Sequence, residues 1–267
     1  MTTGALIFAF DNEQTDYISM AAWSADRIRQ HLNIPVAVIT DCVDQSRLHK
    51  FDQVITADPV SGGTRYFDDY QDTVTWYNAS RVDAYNLTPW DQTLVLDADY
   101  VVCSHMLKNV INSSKDFMCH NTAWDMTNIG NFEGLNWIGN HRLPMAWATV
   151  MMFQKSKAAQ YIFECMHMIK NNWRHYKDLY GIQSSTYRND YALSIALGIE
   201  SGHTLQVNHI PWDLASIMPK HKLLQVSENC FQVDYQNQYK SKRITWKDMD
   251  FHAMGKKHLG DIVANPC

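Results

Sequence analysis

"TLVLDADYVV", residues 93–102, is the stretch on which the reading of the chain turns. An apolar run of strand length stops at Asp97, passes through Ala98 and meets a second carboxylate at Asp99. Short continuous apolar runs bounded by polar residues are what strands buried on both faces present, as in parallel sheets covered by helices. Residues i and i+2 of an extended strand share a face, so both carboxylates are expected to face one site, or to diverge where the strand is already turning. Two anions held that close repel unless a cation lies between them, and a hard divalent ion takes oxygen ligands. A solvated turn carrying two aspartates is the alternative that the motif alone leaves open.

Working upstream, the same pattern repeats. "ALIFAF" (5–10), "IPVAVITD" (34–41) and "QVITAD" (53–58) each read as a strand. Between the first two, residues 15–32 space Tyr17, Met20, Ala21, Ser24, Ile28 and Leu32 as one face of a helix, with Thr15 or Asp16 as N-cap. "TVTWYNASRVDAYNL" (73–87) reads as the helix before the Asp97 strand. Strands separated by helices predict an α/β fold with a mostly parallel sheet and right-handed crossovers. Ligands of such sheets gather beyond the carboxyl ends of the strands, where Asp11, Asp41, Asp58, Asp97 and Asp99 all fall. No GxGxxG follows the first strand and no GxxxxGK[ST] occurs, so neither a dinucleotide fingerprint nor a P-loop is supported.

Downstream the pattern is less regular. Residues 125–144 are rich in Gly, Asn and Trp and too long for a plain connection. A strand is expected over 145–156, a helix over 157–173, a short helix over 189–199 with Asn189 as N-cap, and strands over 204–211 and 231–239. Neither an internal repeat nor a low-complexity linker divides the chain, so one domain is expected over 1–267.

No apolar run approaches the roughly 20 residues of a membrane span. The N-terminus lacks the basic and small-residue features of a signal peptide. The 6 cysteines form no CxxC pair, which reads as free thiols in a reducing cytoplasm. The sequons beginning at Asn78, Asn86 and Asn112 are then chance matches. Residues 1–133 carry 8 Lys/Arg against 18 Asp/Glu (−10), and 134–267 carry 15 against 10 (+5), matching the net −5. An acidic half able to hold a metal thus precedes a basic half able to face phosphate.

The "hhhDxD" form behind a helix carrying Arg81 resembles the GT-A fold glycosyltransferases, glycogenin-like and related nucleotide-sugar transferases in particular. "DFHAMGKKHL" (250–259) resembles their H-x-x-G segment, and "YRNDYALSIAL" (187–197) resembles the helix whose first acidic residue faces the acceptor. The resemblance implies a GT-A type single domain with a mixed, mostly parallel sheet flanked by helices. Residues 1–103 would form its nucleotide-sugar half and 104–267 its acceptor half and closing segment. It implies Mn²⁺ or Mg²⁺ on Asp97, Asp99 and His252, and a UDP-sugar donor held by Asp11, Asn12, Arg81, Asp97, Gly255, Lys256 and Lys257. Asp190 would be the catalytic carboxylate. Two departures stand out: the family's lysine, three residues past the glycine, is His258 here, and "MAWATVMMF" lacks the family's N-x-G.

Trp124, Trp137 and Trp147 are suited to stacking on a sugar or base. Lys220, Lys222, Lys240, Lys242, Arg243 and Lys247 make the last third basic, which fits an anionic acceptor. Compact transferases of T-even-like phages modify hydroxymethylated DNA bases, so modified duplex DNA is one acceptor class compatible with this charge, in a host cytoplasm. Such an enzyme must expose or flip the base. Two other readings compete: a haloacid-dehalogenase-like phosphatase with Asp97 as nucleophile, which Val101 in place of threonine opposes, and a non-catalytic nucleotide-sugar or nucleic-acid binding module.

Overall fold

The computed structural model describes residues 1–67, 70–127, 136–204, 207–237 and 240–265. Its centre is β1 (Thr3–Phe8), an interior strand of a six-stranded sheet. On one side lie β2 (Val36–Thr40) and β3 (Gln53–Thr56), both parallel to it. On the other lies β6 (Gln92–Leu96), also parallel. Beyond β6, β12 (Trp147–Gln154) runs antiparallel, and β8 (Phe117–His120) closes the edge antiparallel to β12. The sheet is therefore mixed and mostly parallel. All five residues of β2 and of β6 are buried. Each large aliphatic side chain so covered contributes about 1.5–3 kcal/mol.

Helix α1 (Tyr17–Leu32) links β1 to β2, with the Asp16 carboxylate accepting the Ser19 N–H at 2.8 Å as its N-cap. It ends at Asn33 in the left-handed region (φ 58°), where asparagine is better tolerated than most residues. Helix α2 (Gln45–Leu48) follows β2. α4 (Leu107–Ile111) leads into β8, and α5 (Lys157–Asn171) packs against α7 (Asn189–Glu200) with α6 (Trp173–Leu179) between them in sequence. Phe163 of α5 meets Phe153 of β12 edge to face, ring centres 4.8 Å apart.

Four smaller sheets are seen among the described residues, one of them the hairpin within residues 63–76 taken up below. β7 (Tyr100–Val101), β17 (Phe251–Ala253), β13 (Leu214–Ile217) and β9 (Ala123–Asp125) form one in that order. β14 (Lys222–Val226), β15 (Cys230–Asn237) and β16 (Lys240–Lys247) form an antiparallel sheet, and β10 (Trp137–Ile138) pairs with β11 (Leu143–Pro144). Helix α8 (Lys256–Ala264) follows β17.

Four sequence expectations need correction. Residues 73–87 are not one helix. β5 (Asp72–Trp76) pairs antiparallel with β4 (Gly63–Phe67), and only then come a 3₁₀ turn (Ala79–Asp83) and α3 (Ala84–Leu87). Thr73, Val74, Thr75 and Trp76 are β-branched or aromatic, and the preceding strand gives them a partner. The strand of residues 93–102 is also broken. β6 stops at Leu96, and the Tyr100 N–H donates to the Asp97 carbonyl at 3.0 Å, so Asp97 and Asp99 sit on a turn between two sheets. Helix α7 begins after Arg188, not Asn189. Of the strand expected at 204–211, residues 205–206 lie outside those described, and the rest shows only one bridge, Cys119 to His209. Pro211, without an N–H, ends it. The strand expected at 231–239 is observed over Cys230–Asn237, its last two residues lying outside the described ones. No helix among the described residues is long and apolar enough to cross a membrane.

Candidate functional site

The turn after β6 is fixed at both ends by backbone. The Asp97 N–H donates to the Thr149 carbonyl at 3.0 Å, and the Asp99 carbonyl accepts the Ala253 N–H at 3.0 Å. The second bond ties the turn to β17, which pairs His252 with Tyr100 across an antiparallel ladder. The result is a cluster in which one ligand atom each from Asp97, Asp99 and His252 lies within 4.8 Å of the others. His252 Nε2 is 3.4 Å from Asp99 Oδ2, and its Nδ1 is buried without a hydrogen-bond partner. Burial pushes the imidazole pKa down, outweighing the opposite pull of Asp97 and Asp190. A neutral imidazole beside two carboxylates is a donor set that fits Mn²⁺ or Mg²⁺.

Each carboxylate also has a cation of its own. Arg81, only 2% exposed, contacts Asp97 and donates from Nη1 to the Ala148 carbonyl at 2.6 Å. Lys256, in the first turn of α8, contacts Asp99. The four charges cancel. A divalent ion added to the cluster would therefore leave two positive charges, which a diphosphate can meet.

The cluster opens into a cavity of about 540 Å³. Asp190, in the first turn of α7, lines its wall with Arg188. Asp190 Oδ1 accepts the Ala148 N–H at 2.9 Å, and Oδ2 accepts both Arg188 Nε–H at 3.1 Å and Nη2–H at 2.6 Å. Burial alone would raise the Asp190 pKa, but the charge of Arg188, the Ala148 amide and the charge of Arg65 together hold it below the usual carboxylate range. Asn189 donates to the Asn78 carbonyl at 2.8 Å, so the start of α7 is tied to the turn that carries Arg81. Trp147 also lines the cavity.

Thus Arg81, Asp97, Asp99, Asp190, His252 and Lys256 converge on one cavity. Asp11 and Asn12 do not line it. Asp11 accepts the Ile18 N–H at 3.0 Å and pairs with Arg47 at 2.9 Å, while Asn12 accepts the Gln14 and Thr15 N–H groups. Gly255 is the N-cap of α8 at φ −83°, a conformation open to any residue, and Lys257 is exposed. Asp41 and Asp58 are exposed. Trp124 packs edge-on against Trp246, and Trp137 is 49% exposed. Sequence reading missed Arg65 and Arg188. Arg188 stood two residues before Asp190 in plain sight, but Arg65 carried no signal while its segment had no assigned partner.

No protein-family model and no curated protein matches the chain. Solved structures similar to it include LgtC, described as a galactosyltransferase in complex with donor and acceptor sugar analogues. That match has 12% identity over 73% of this chain and 70% of that one, with TM-score 0.49. The glycosyltransferase GlyE of Streptococcus pneumoniae is similar at 10% identity over 78% of this chain and 45% of its own, TM-score 0.44. Mouse xyloside xylosyltransferase 1, in apo form, is similar at 11% identity over 76% and 83%, TM-score 0.43.

Proposed function

We propose that the protein is a metal-dependent glycosyltransferase of GT-A type that moves a sugar from a UDP-sugar to an acceptor hydroxyl. The observation that carries the reading is the Asp97, Asp99 and His252 cluster in the wall of a cavity large enough for a nucleotide-sugar. Asp97, Asp99 and His252 would hold Mn²⁺ or Mg²⁺, which when bound stabilises the charge on the departing diphosphate. Lys256 stands beside the cluster and adds a positive charge toward the same group. Arg81 contacts the Asp97 carboxylate and the Ala148 carbonyl, which helps hold the turn in place when substrate arrives.

We assign Asp190, which lines the same cavity, to the sugar. Its ionised carboxylate is immobilised by three N–H donors, and its basicity is lowered, which suits it poorly to remove a hydroxyl proton. Its charge instead supports the positive charge that builds at the anomeric carbon as the leaving group departs. The acceptor reading stops at a hydroxyl. None of the six basic residues from Lys220 to Lys247 lines the cavity, so a hydroxymethylated base in duplex DNA enters only as one arm of the test.

The test is release of UDP from UDP-sugars with Mn²⁺, with EDTA, and with Asp99→Asn. Release that needs Mn²⁺ and falls at least 100-fold in Asp99→Asn is expected. Equal release with EDTA refutes the metal role, and hydrolysis of phosphomonoesters in place of UDP-sugars favours the phosphatase reading. Hydroxymethylcytosine duplex and simple saccharides are offered in parallel as acceptors.

A further inference from the structure

Among the described residues, the charges that line this cavity pair off with one exception. Arg81 contacts Asp97, Lys256 contacts Asp99, and Arg188 grips Asp190. Arg65 also lines the cavity, and among the described residues no carboxylate forms an ion pair with it. The charges that act on it most are those of Arg188, which repels it, and Asp190, already held by Arg188. Burial first, and then Arg188, depress its pKa. Arg65 is half-buried, and a guanidinium partly withdrawn from water without its own counter-ion carries a cost that a bound anion offsets.

The hairpin that carries Arg65 is built to hold it in place. The register pairs Gly63 with Trp76 and Arg65 with Val74, so Gly63, Arg65, Val74 and Trp76 share one face. Trp76 lines the cavity as well, and the Arg65 guanidinium lies 4.8 Å from its ring centre. That contact fixes the plane of the guanidinium without using its N–H donors. Trp76 is itself confined: a Cβ on Gly62 would lie 2.2 Å from its ring. Trp76 thus packs on Gly62 and carries the Arg65 guanidinium on its face, and the donor fork is left for a ligand.

From this we infer that Arg65 is the receptor for an anionic substituent, a carboxylate or phosphate ester, on one of the two sugars brought together in the cavity. The inference rests on the glycosyltransferase reading and narrows its substrate class to acidic carbohydrate. The charge can be carried by the transferred sugar or by the acceptor, and the experiment separates these.

Binding is measured by calorimetry or ligand-observed NMR on the full chain with Mn²⁺. One arm compares UDP-glucuronate with UDP-glucose. The other, with UDP present, compares free glucuronate and glucose 6-phosphate with glucose. In one arm the anionic probe is expected to bind about 10- to 100-fold more tightly, the range of a charge-assisted hydrogen-bond pair. Arg65→Gln abolishes that preference and leaves UDP affinity unchanged, while Arg65→Lys retains part of it. The inference is overturned if neither arm shows a preference, or if the preference survives Arg65→Gln. It is equally overturned if Arg65→Gln weakens UDP itself, for the guanidinium then serves the donor diphosphate. Absence of UDP binding with Mn²⁺ refutes the glycosyltransferase reading instead, and the free-sugar comparison then tests Arg65 as the receptor of an anionic acceptor.

Discussion

Arg81→Leu tests the architecture of the site most directly. The guanidinium is buried, contacts Asp97, and donates to the Ala148 carbonyl at 2.6 Å. Leucine fills part of the volume but leaves a carbonyl and a carboxylate without their donor. Breaking a buried pair by removing one partner costs about 3–5 kcal/mol. The Asp97 side chain is 18% exposed, so water reaches it and the lower half of that range, about 3–4 kcal/mol, is expected. For a chain of this size that corresponds to a fall in Tm of about 10 °C. Scanning calorimetry and urea denaturation both read it. The double variant Arg81→Leu/Asp97→Leu should be more stable than Arg81→Leu alone, because it strands no charge. An Arg81→Leu protein within 1 kcal/mol of wild type, or a double variant whose losses simply add, would show that the pair does not organise the turn.

Further outcomes can be checked more briefly. Mn²⁺ is expected to raise the Tm of the wild type and not that of Asp99→Asn, since only a ligand of the native state stabilises it; equal shifts in both would place the ion elsewhere. His120 is fully buried, and burial lowers its pKa from 6.5 to about 4. The unfolded chain therefore takes up this proton first, so the His120 contribution is complete above about pH 6.5 and is lost as the pH falls toward 4. Between those limits wild type should lose on the order of 3 kcal/mol relative to His120→Gln; parallel pH profiles would contradict this. Gly139 has φ +65°, and a Cβ there would lie 1.9 Å from the Tyr180 carbonyl oxygen. Gly139→Ala should cost about 2–4 kcal/mol in urea denaturation, from overpacking and left-handed strain together, and a neutral result would mean the loop shifts freely.

How much of this was legible before folding depends on the range of each interaction. The parallel strands β1, β2 and β3 and the helix α1 could be read because apolar runs and helical spacing are local properties. The Asp97–Asp99 motif was found at the correct strand end, but its placement on a strand was wrong. Whether a strand continues or turns is decided by the partners waiting on each side, Thr149 and Ala253. The segment 73–87 failed for the same reason, since its β-branched start became a strand only when Gly63–Phe67 lay beside it.

The sequence by itself supplied the residue types: two carboxylates one residue apart, a histidine near the end of the chain, and a helix with Asp190 in its first turn. Tertiary structure alone decided that they meet. Asp99 and Lys256 are 157 residues apart and touch because β17 pairs with β7 across the turn. Tertiary structure also chose Lys256 over Lys257 as the cavity lysine, for only the first residue of α8 faces the turn. It also brought Arg65 into the cavity on a hairpin whose register no local pattern specifies. Residue type fixes what a side chain can do, whereas charge pairing and burial depend on neighbours that only the folded chain supplies.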